Sequence, residues 1–393
     1  MITLLVRCDV GRSRIADKPF VPSICFRALH ALGSRGAMIV ALLAGTTQRN
    51  LIAQQATFSL ERELTLDGGA EGFSRISSVR TNSRGDIAIT FPQDAQIQIY
   101  DLSGRLISTF GRRGAGPGEF QAFFDVKGWI GDTIWIVDGM SNRLTYVSRT
   151  GRLLRTESLA DQGWKRTGSS GTVVNFTPSA RSANGVWLGT GSFYNSEERH
   201  LRGFVALTST DARFVASIRA DSTYKFWPFA AGAVSAFSHD GEHVAYASAS
   251  SLVLRSGKYK VNLFRSNGDT VYVREFDYVG VPLARRTVDS ILARGVGPNR
   301  LRTLPNDQIP PVHRPLEALD FSSDGRLWIT IRESSASSAV IVLDQRGAAV
   351  ARIPLPARTS VMAADRARVW LKEEDENGVE TLVRYRLVER SKN

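Results

Sequence analysis

The sequence predicts an all-β fold, a six-bladed β-propeller with four antiparallel strands in each blade. Three observations lead to this prediction: a turn-and-strand unit occurs six times, an apolar hairpin follows it, and a strand-like segment near the start can complete the last blade. Repeats of this kind decide a fold because each unit buries its apolar faces only against its neighbours.

The first repeated unit is a polar turn followed by a short strand in which apolar residues alternate. Asp-Gly and Asn-Gly dipeptides favour tight turns, and alternation with a period of two is typical of a half-buried strand. Four copies carry a tryptophan at one shared strand position, which predicts packing between blades. The copies are residues 83–90, 130–138, 183–190, 239–246, 323–330 and 365–372, and the tryptophans are Trp135, Trp187, Trp328 and Trp370.

The second unit is a hairpin of two apolar strands, and its sixth copy, which begins at Glu380, lacks the final strand. The segment 57–66 has a strand-like pattern and can supply the missing strand, which would close the ring and remove exposed sheet edges. The long interval between the fourth and fifth copies must hold an insertion. Val288, Ile291 and Leu292 have helical spacing there, so we expect a short amphipathic helix within about 284–304.

Residues 1–55 are predicted to be a leader that precedes a propeller domain at 56–393. Basic residues, the apolar run 37–44 and a polar stretch with small residues describe a secretory signal. The run is far shorter than the ~20 residues that span a bilayer. We therefore expect an exported protein, periplasmic or extracellular, whose mature form has no transmembrane anchor. A buried hydrophobic strand is the alternative interpretation of the run.

Charge and cysteine content exclude several function classes. The net charge is +12, but the basic residues are scattered and form no patch interleaved with aromatic residues, so we expect no nucleic-acid partner. Cys8 and Cys25 both lie in the leader, and the domain therefore has no disulfide framework, thiolate metal site or cysteine nucleophile. The expected partners are a protein, a peptide, or a small-molecule or sugar ligand, and the expected state is a monomer.

The stretch GRRGAGPGEF, residues 111–120, has the glycine content of a phosphate-binding loop. It lacks the Lys-Ser/Thr pair and the following helix that such loops need. Its glycines are better explained by turns with positive φ where the chain passes from blade 1 to blade 2.

This stretch and the residues that follow it resemble the NHL-repeat family of six-bladed propellers. In that family a glycine-rich segment ending in Gly-x-Phe links two blades, and Asp138, Asn142 and Arg143 occupy the family positions that follow it. Residues 237–246 and 321–330 are similar to blades of TolB-type propellers. The resemblance implies an exported bacterial propeller, and fold kinship alone assigns no function.

The resemblance also implies two possible metal sites, although the sequence itself requires no cofactor. NHL-like lyases use central histidines with zinc, and the candidates here are His239 and His243, for which a solvated hairpin is the simpler interpretation. Lactonases of the six-bladed type hold a divalent metal, calcium, with Glu, Asn and Asp of the innermost strands. The matching residue types here are Asp125, Asn175, Glu317, Asp320 and Asp365.

An aromatic pair, Trp227 and Phe229, breaks the repeat pattern and could line the propeller mouth as a stacking surface for a sugar or peptide. The first functional hypothesis is a ligand- or protein-binding module that uses its central funnel or face. Its candidate contacts are Trp227, Phe229, Asp125, Asn175, Glu317 and Asp320. The alternative is a metal-dependent hydrolase or lyase, and a third class is a structural module of the cell envelope.

Overall fold

The structure is a computed structural model that describes residues 56–390, apart from 122, 160–164, 170, 196, 198, 219–228, 230–233, 248–255 and 294–302. The predicted leader and Trp227 lie outside the described residues. Within them the chain forms five mainly antiparallel sheets, which contain the six blades of a β-propeller because blades 5 and 6 share one sheet.

Strands of the first three blades follow one another along the chain, after an initial strand β1 (Ala56–Leu66) and a short helix α1 (Gly68–Glu71). Blade 1 contains β2 (Ser78–Thr81), β3 (Ile87–Phe91), β4 (Gln96–Tyr100) and β5 (Leu106–Phe110). Blade 2 contains β6 (Phe124–Ile130), β7 (Thr133–Asp138), β8 (Arg143–Ser148) and β9 (Leu153–Ser158). Blade 3 contains β10 (Arg166–Gly168), β11 (Gly171–Arg181), β12 (Trp187–Tyr194), β13 (His200–Leu207) and β14 (Ala212–Ser217).

The last three blades follow the same order, with one insertion. Blade 4 contains β15 (Val234–Phe237), β16 (His243–Ala247), β17 (Ser256–Arg265) and β18 (Thr270–Val279). The helix α2 (Arg285–Ala293) and a 3-10 turn (Asn306–Gln308) come next. Blade 5 contains β19 (Leu316–Phe321), β20 (Leu327–Arg332), β21 (Ser338–Leu343) and β22 (Ala349–Leu355). Blade 6 contains β23 (Thr359–Ala364), β24 (Arg368–Glu374) and β25 (Glu380–Glu389).

The ring closes as predicted, because β1 completes blade 6. It pairs antiparallel with β25 from Phe58 opposite Glu389 to Leu66 opposite Leu382. Its first two residues also pair with β22, which joins blades 5 and 6 into one sheet of eight strands. Residues distant in sequence therefore share the outer edge of the last blade.

Blade 3 differs from the predicted four strands, since its sheet has five. The innermost strand β11 is eleven residues long, and the short β10 pairs with its first residues from Arg166 opposite Val173 to Gly168 opposite Gly171. The additional strand is therefore the neighbour of β11 at the edge of the sheet, and just after it the Ser169 amide donates to the Asp211 carboxylate at 2.9 Å.

Apolar side chains fill the spaces between adjacent blades, and the repeated tryptophans lie there as predicted. Trp135 of blade 2 meets Trp187 of blade 3 edge to face, with ring centroids 5.3 Å apart. Trp328 packs in the cluster between blades 5 and 6, and Trp370 packs in the cluster between blades 6 and 1. The shared strand position thus carries a core residue in each of these blades.

The glycine-rich stretch connects β5 to β6, which confirms its predicted place between blades 1 and 2. Gly111 has φ +98, and a Cβ there would lie 2.7 Å from the carbonyl oxygen of Ala95 and from the Phe120 ring. Arg143 holds the same segment by donating hydrogen bonds to the carbonyl oxygens of Ala115 and Gly116, both at 3.0 Å. The residues that carry the NHL resemblance therefore stabilise a blade junction.

The predicted amphipathic helix is α2, and its Val288 and Leu292 are buried. The insertion is attached to the segment before blade 5, because the Leu283 amide donates to the carbonyl oxygen of Pro311 at 3.2 Å and the His313 amide donates to that of Val281 at 2.8 Å. These bonds place α2 beside the start of β19. No helix of the described residues is long and apolar enough to cross a membrane.

Candidate functional site

A central channel runs between the innermost strands and encloses a cavity of about 290 Å³. All six blades contribute to its wall, and its polar side chains come from the first five blades. Its wall includes Arg80, Lys127, Trp129, Ser179, Arg181, Ser235, His239, Asp320 and Met362. We call this cavity the channel site.

Three β-bulges shape the channel wall. The strand register shifts around Lys127 in β6, around Ser179 in β11 and around Met362 in β23. A bulge adds one unpaired residue and changes the direction of its side chain, and all three bulged residues line the channel site. The innermost strands are therefore irregular where the cavity lies.

Asp320 is the buried acid of the channel site. Its Oδ2 is inaccessible and has no hydrogen-bond partner, although buried carboxylate oxygens normally have one. Burial raises the pKa of Asp320 to about 6, and the positive charge of Arg80 opposes this increase. On β20, opposite Asp320, the indole nitrogen of Trp328 is also buried without a partner. This part of the wall offers an acceptor that the described residues leave unused.

Two guanidinium groups in the channel site have no carboxylate partner among the described residues. Arg80 donates to the carbonyl oxygens of Val79 at 3.0 Å and Lys127 at 3.3 Å. The Arg181 guanidinium lies over the Trp187 ring, 4.7 Å from its centroid, and its Nε is buried without a hydrogen-bond partner. Arginine in such a position can bind a carboxylate or phosphate oxygen of a ligand.

His239 lies where the channel site meets a wider opening. Its Nε2 donates a hydrogen bond to the carbonyl oxygen of Phe321 at 2.9 Å. Burial lowers the pKa of His239, and the nearby Arg80 lowers it further. The ring is therefore neutral at pH 7, and its Nδ1 is an acceptor when Nε2 carries the proton.

The wider opening is a cavity of about 720 Å³ on the face that carries the turns after the innermost strands. It shares Gly128, Trp129 and His239 with the channel site, so the two cavities are adjacent. A Cβ at Gly128 would lie 3.0 Å from the indole nitrogen of Trp135, so the glycine permits close packing of this ring. We call this cavity the vestibule.

The predicted carboxylates and asparagine do not converge. Asp125 is paired with Lys127 at 3.0 Å and accepts a hydrogen bond from Ser78. Asn175 is exposed on β11, and Asp365 accepts the amides of Ala367 at 2.7 Å and Arg368 at 2.8 Å in the turn before β24. Only Asp320 lies in the wall of the channel site with its carboxylate unpartnered.

Glu317 lies in a different cavity, at the other end of β19. Its carboxylate accepts from Arg332 and from the hydroxyl of Ser338, the latter at 2.8 Å.

Phe229 is half-buried. Its role as a ligand contact stays a prediction.

The two histidines of the predicted zinc site occupy different places. His239 lines the channel site, whereas His243 begins β16 opposite Arg265 of the neighbouring strand. In the part of the chain that the structure describes, no three His, Cys, Asp or Glu side chains are grouped so that they could hold a metal ion. Among the described residues, no group therefore matches the zinc or calcium set that the resemblance implies.

Sequence reasoning did not single out Arg80, Lys127 and Arg181. The sequence contains a pattern that could have identified them. In each blade, one residue of the innermost strand pairs with the repeated Ala or Trp of the next strand, and these residues lie at the same height along the channel. Arg80 pairs with Ala88, Arg181 with Trp187 and Asp320 with Trp328. Charged residues at that level are unexpected in a strand packed between blades, and they mark the channel.

Comparisons with solved structures find many propellers of low similarity. A member of the DUF4221 family from Bacteroides vulgatus is 9% identical, with 86% of this chain and 100% of that chain covered and a TM-score of 0.46. A virginiamycin B lyase from Staphylococcus aureus is 10% identical, with 84% and 100% covered and a TM-score of 0.43. A gluconolactonase from Xanthomonas campestris is 12% identical, with 80% and 87% covered and a TM-score of 0.41.

No family model matches the sequence, and no curated protein does. The resemblance to NHL-repeat and TolB-type propellers therefore stays a prediction, and the function has to be argued from the channel site itself.

Proposed function

We propose that this propeller is a binding module whose channel site takes a small polar ligand with an anionic group. The observation that carries the proposal is that Arg80 and Arg181, which have no carboxylate partner among the described residues, line one channel with the carboxylate of Asp320. Buried charges without partners are costly, and a complementary ligand recovers that cost on binding.

The ligand has two chemical requirements. A carboxylate or phosphate group matches Arg80 and Arg181, because charged hydrogen bonds to guanidinium groups are strong and directional. A hydroxyl or amine of the same molecule would donate to the Asp320 carboxylate, whose Oδ2 has no donor among the described residues. A hydroxylated acid or a zwitterion satisfies both, whereas a wholly apolar ligand satisfies neither.

The size of the cavity agrees with a small molecule. The channel site has a volume of about 290 Å³ and adjoins the vestibule of about 720 Å³. Ligand sites in proteins usually measure ~300–1,000 Å³. Trp129 borders both cavities, and its indole nitrogen donates to the Arg80 carbonyl oxygen at 2.9 Å. Its ring provides an apolar wall on which a ligand can pack.

The alternative, a metal-dependent hydrolase or lyase, has no observation in its favour within the described residues. Calcium needs about six to eight oxygen ligands. Asp125 is committed to Lys127, and Glu317 is committed to Arg332 and Ser338. These ion pairs and hydrogen bonds would have to break before either carboxylate could bind a metal.

The binding proposal includes export, which rests on the signal-like pattern of residues 1–55. N-terminal sequencing of the protein recovered from its native cell would show cleavage after the apolar run 37–44. Recovery with an intact Met1 would contradict export without affecting the channel site.

A thermal-shift panel tests the binding proposal. Small hydroxy acids, amino acids, phosphate esters, amines and neutral sugars would be screened against the wild type, Arg181→Gln and Arg105→Gln. Arg105 is the matched control, because its side chain is 82% exposed in a turn of blade 1. We expect anionic compounds to raise the melting temperature of the wild type and of Arg105→Gln, with a smaller effect on Arg181→Gln. Equal responses in all three proteins would contradict the proposal.

A further inference from the structure

A second polar cavity lies between blades 5 and 6, at the opposite end of β19 from His239. Its volume is about 810 Å³, and it is separate from the channel site in its lining residues. Helix α2 forms part of its wall through Thr287 and Ile291. We call it the α2 cavity, and its polar lining includes His313, Arg314, Glu317, Arg332, Ser335 and Ser360.

Positive charge exceeds negative charge in the α2 cavity. Arg314, Arg332 and Arg358 line it, and Glu317 is the one acidic residue among its lining residues. The Glu317 carboxylate is already occupied by Arg332 and by Ser338. Arg358 is directed away in part, because its Nη1 donates to the Asp375 carbonyl oxygen at 3.0 Å.

Arg314 is the cation without a carboxylate of its own. Its Nη2 donates to the backbone oxygen of Glu317 at 2.7 Å, and the described residues place no carboxylate within ion-pair distance of its guanidinium. Burial lowers the pKa of Arg314, which shows that its charge is poorly solvated, although a guanidinium stays protonated in proteins. The other four N–H donors of this group have no acceptor among the described residues.

Neutral donors line the same cavity as Arg314. Ser335 and Ser360 are among them, and their hydroxyls have no hydrogen bond within the described part of the chain. Burial and the charge of Arg332 lower the pKa of His313, so its imidazole is neutral at pH 7 and can donate one hydrogen bond. A guanidinium with hydroxyl and imidazole donors is the donor set that binds an oxyanion.

From this geometry we propose that the α2 cavity is a second binding site, specific for the oxyanion group of a small ligand, with Arg314 as its principal contact. The oxyanion can be a carboxylate or a phosphate, since both match the guanidinium. This site is distinct from the channel site, and its ligand contacts do not depend on Arg80, Arg181 or Asp320.

Methyl NMR distinguishes the two sites, because each has its own alanine reporters. Ala318, Ala336 and Ala357 line the α2 cavity, whereas Ala236 and Ala363 line the channel site. Inorganic phosphate and acetate would be titrated separately into full-length protein with labelled alanine methyl groups. The first probe tests a tetrahedral oxyanion, and the second tests a planar one.

We expect saturable shifts at Ala336 and Ala357 with at least one of the two probes. Arg314→Gln should raise the dissociation constant at these reporters by about tenfold or more, because a charged hydrogen bond is lost. Arg181→Gln should leave them unchanged, and Arg314→Lys should bind with intermediate affinity.

Shifts that are absent or unsaturable at Ala318, Ala336 and Ala357 with both probes would overturn the proposal. Unchanged affinity in a folded Arg314→Gln variant would overturn it as well. Unperturbed spectra of the remaining alanines show that the variant is folded. Failure of the channel site would show at Ala236 and Ala363 instead, so the two proposals are tested separately.

Discussion

The His239 imidazole donates to the carbonyl oxygen of Phe321 at 2.9 Å, which joins blade 4 to blade 5 next to the buried carboxylate of Asp320. Burial lowers the pKa of His239 and raises the pKa of Asp320 to about 6. The two shifts have opposite signs because burial disfavours the charged form of each group. Two neighbouring groups with perturbed pKa values in one cavity are typical of a functional site.

Asp320→Asn should increase the free energy of unfolding at pH 8 by about 1–3 kcal/mol. The folded protein binds the Asp320 proton more tightly than the unfolded chain does, so wild-type stability falls as pH rises from about 4 to the folded pKa of about 6. The gain in the variant should therefore disappear at pH 4. Urea unfolding of both proteins at pH 4, 6 and 8 measures this difference.

The control for Asp320→Asn is Asp125→Asn, which removes a carboxylate that pairs with Lys127. We expect no stabilisation in that variant at any pH. A loss of stability in Asp320→Asn that is the same at all three pH values would contradict the assignment of Asp320 as an unpartnered acid.

Gly111→Ala should destabilise the fold by about 2–4 kcal/mol. Its φ is +98, and the added Cβ would meet the Ala95 carbonyl oxygen and the Phe120 ring at 2.7 Å. Gly131→Ala is the matched control, because φ is +58 there but nothing lies within 4 Å of the added atom. The control should lose only about 1 kcal/mol of stability, the cost of a positive φ for a residue that has a Cβ. Chemical denaturation measures both free energies of unfolding. Equal losses of stability in the two variants would contradict the need for space at Gly111 between the blades.

Arg149→Ala should cost about 2–4 kcal/mol, because it removes the main charged partner of the buried Asp86 carboxylate and leaves only Asn82 at 2.8 Å and Arg84 at 3.6 Å. Arg149 donates to the two oxygens of Asp86 at 2.8 and 2.9 Å and thereby links blade 2 to blade 1. These hydrogen bonds are the main reason that the pKa of Asp86 lies below its usual range. The contribution is present above the unfolded pKa and is lost as pH falls through the folded one.

Arg386→Ala provides the comparison for this ion pair, since Arg386 and its partner Glu61 are both about half exposed. It should change the free energy of unfolding by less than about 1 kcal/mol. Similar costs for the two variants at pH 7, or a cost of Arg149→Ala that persists at low pH, would contradict the role of the buried pair.

Leu66→Ala should destabilise the protein by about 2–4 kcal/mol, because it leaves a cavity in a packed core. Leu66 is 3% exposed at the end of β1 and packs in the cluster that contains Trp370 and Leu382. Leu102→Ala, at a residue 44% exposed, should cost less than about 0.5 kcal/mol. Guanidinium unfolding followed by tryptophan fluorescence measures both. Similar small costs would mean that β1 contributes little to blade 6.

The fold could be predicted from the sequence because each blade repeats a local pattern. The apolar alternation around Trp135 and Trp328 and the strand-like segment at 57–66 each indicate an element by short-range rules. The fifth strand of blade 3 was not predictable, since β10 has three residues and depends on pairing with β11. Short strands of this kind are decided by tertiary context.

The site was predicted less completely, and the reason is geometric. Composition identifies Asp125, Glu317 and Asp320 as equal candidates, but each faces different neighbours. Ion pairs neutralise Asp125 and Glu317, whereas Asp320 stays unpartnered. The bulges that direct Lys127 and Ser179 into the channel depend on strand register, which a sequence pattern does not specify.

The binding proposal depends on Arg181, which would bind the anionic group of a ligand in the channel site. Calorimetric titration of the compound that stabilises the wild type most in the thermal-shift panel tests this role. We expect a dissociation constant about tenfold or more higher in Arg181→Gln and unchanged within about twofold in Arg105→Gln. Equal affinity in the wild type and Arg181→Gln would contradict it.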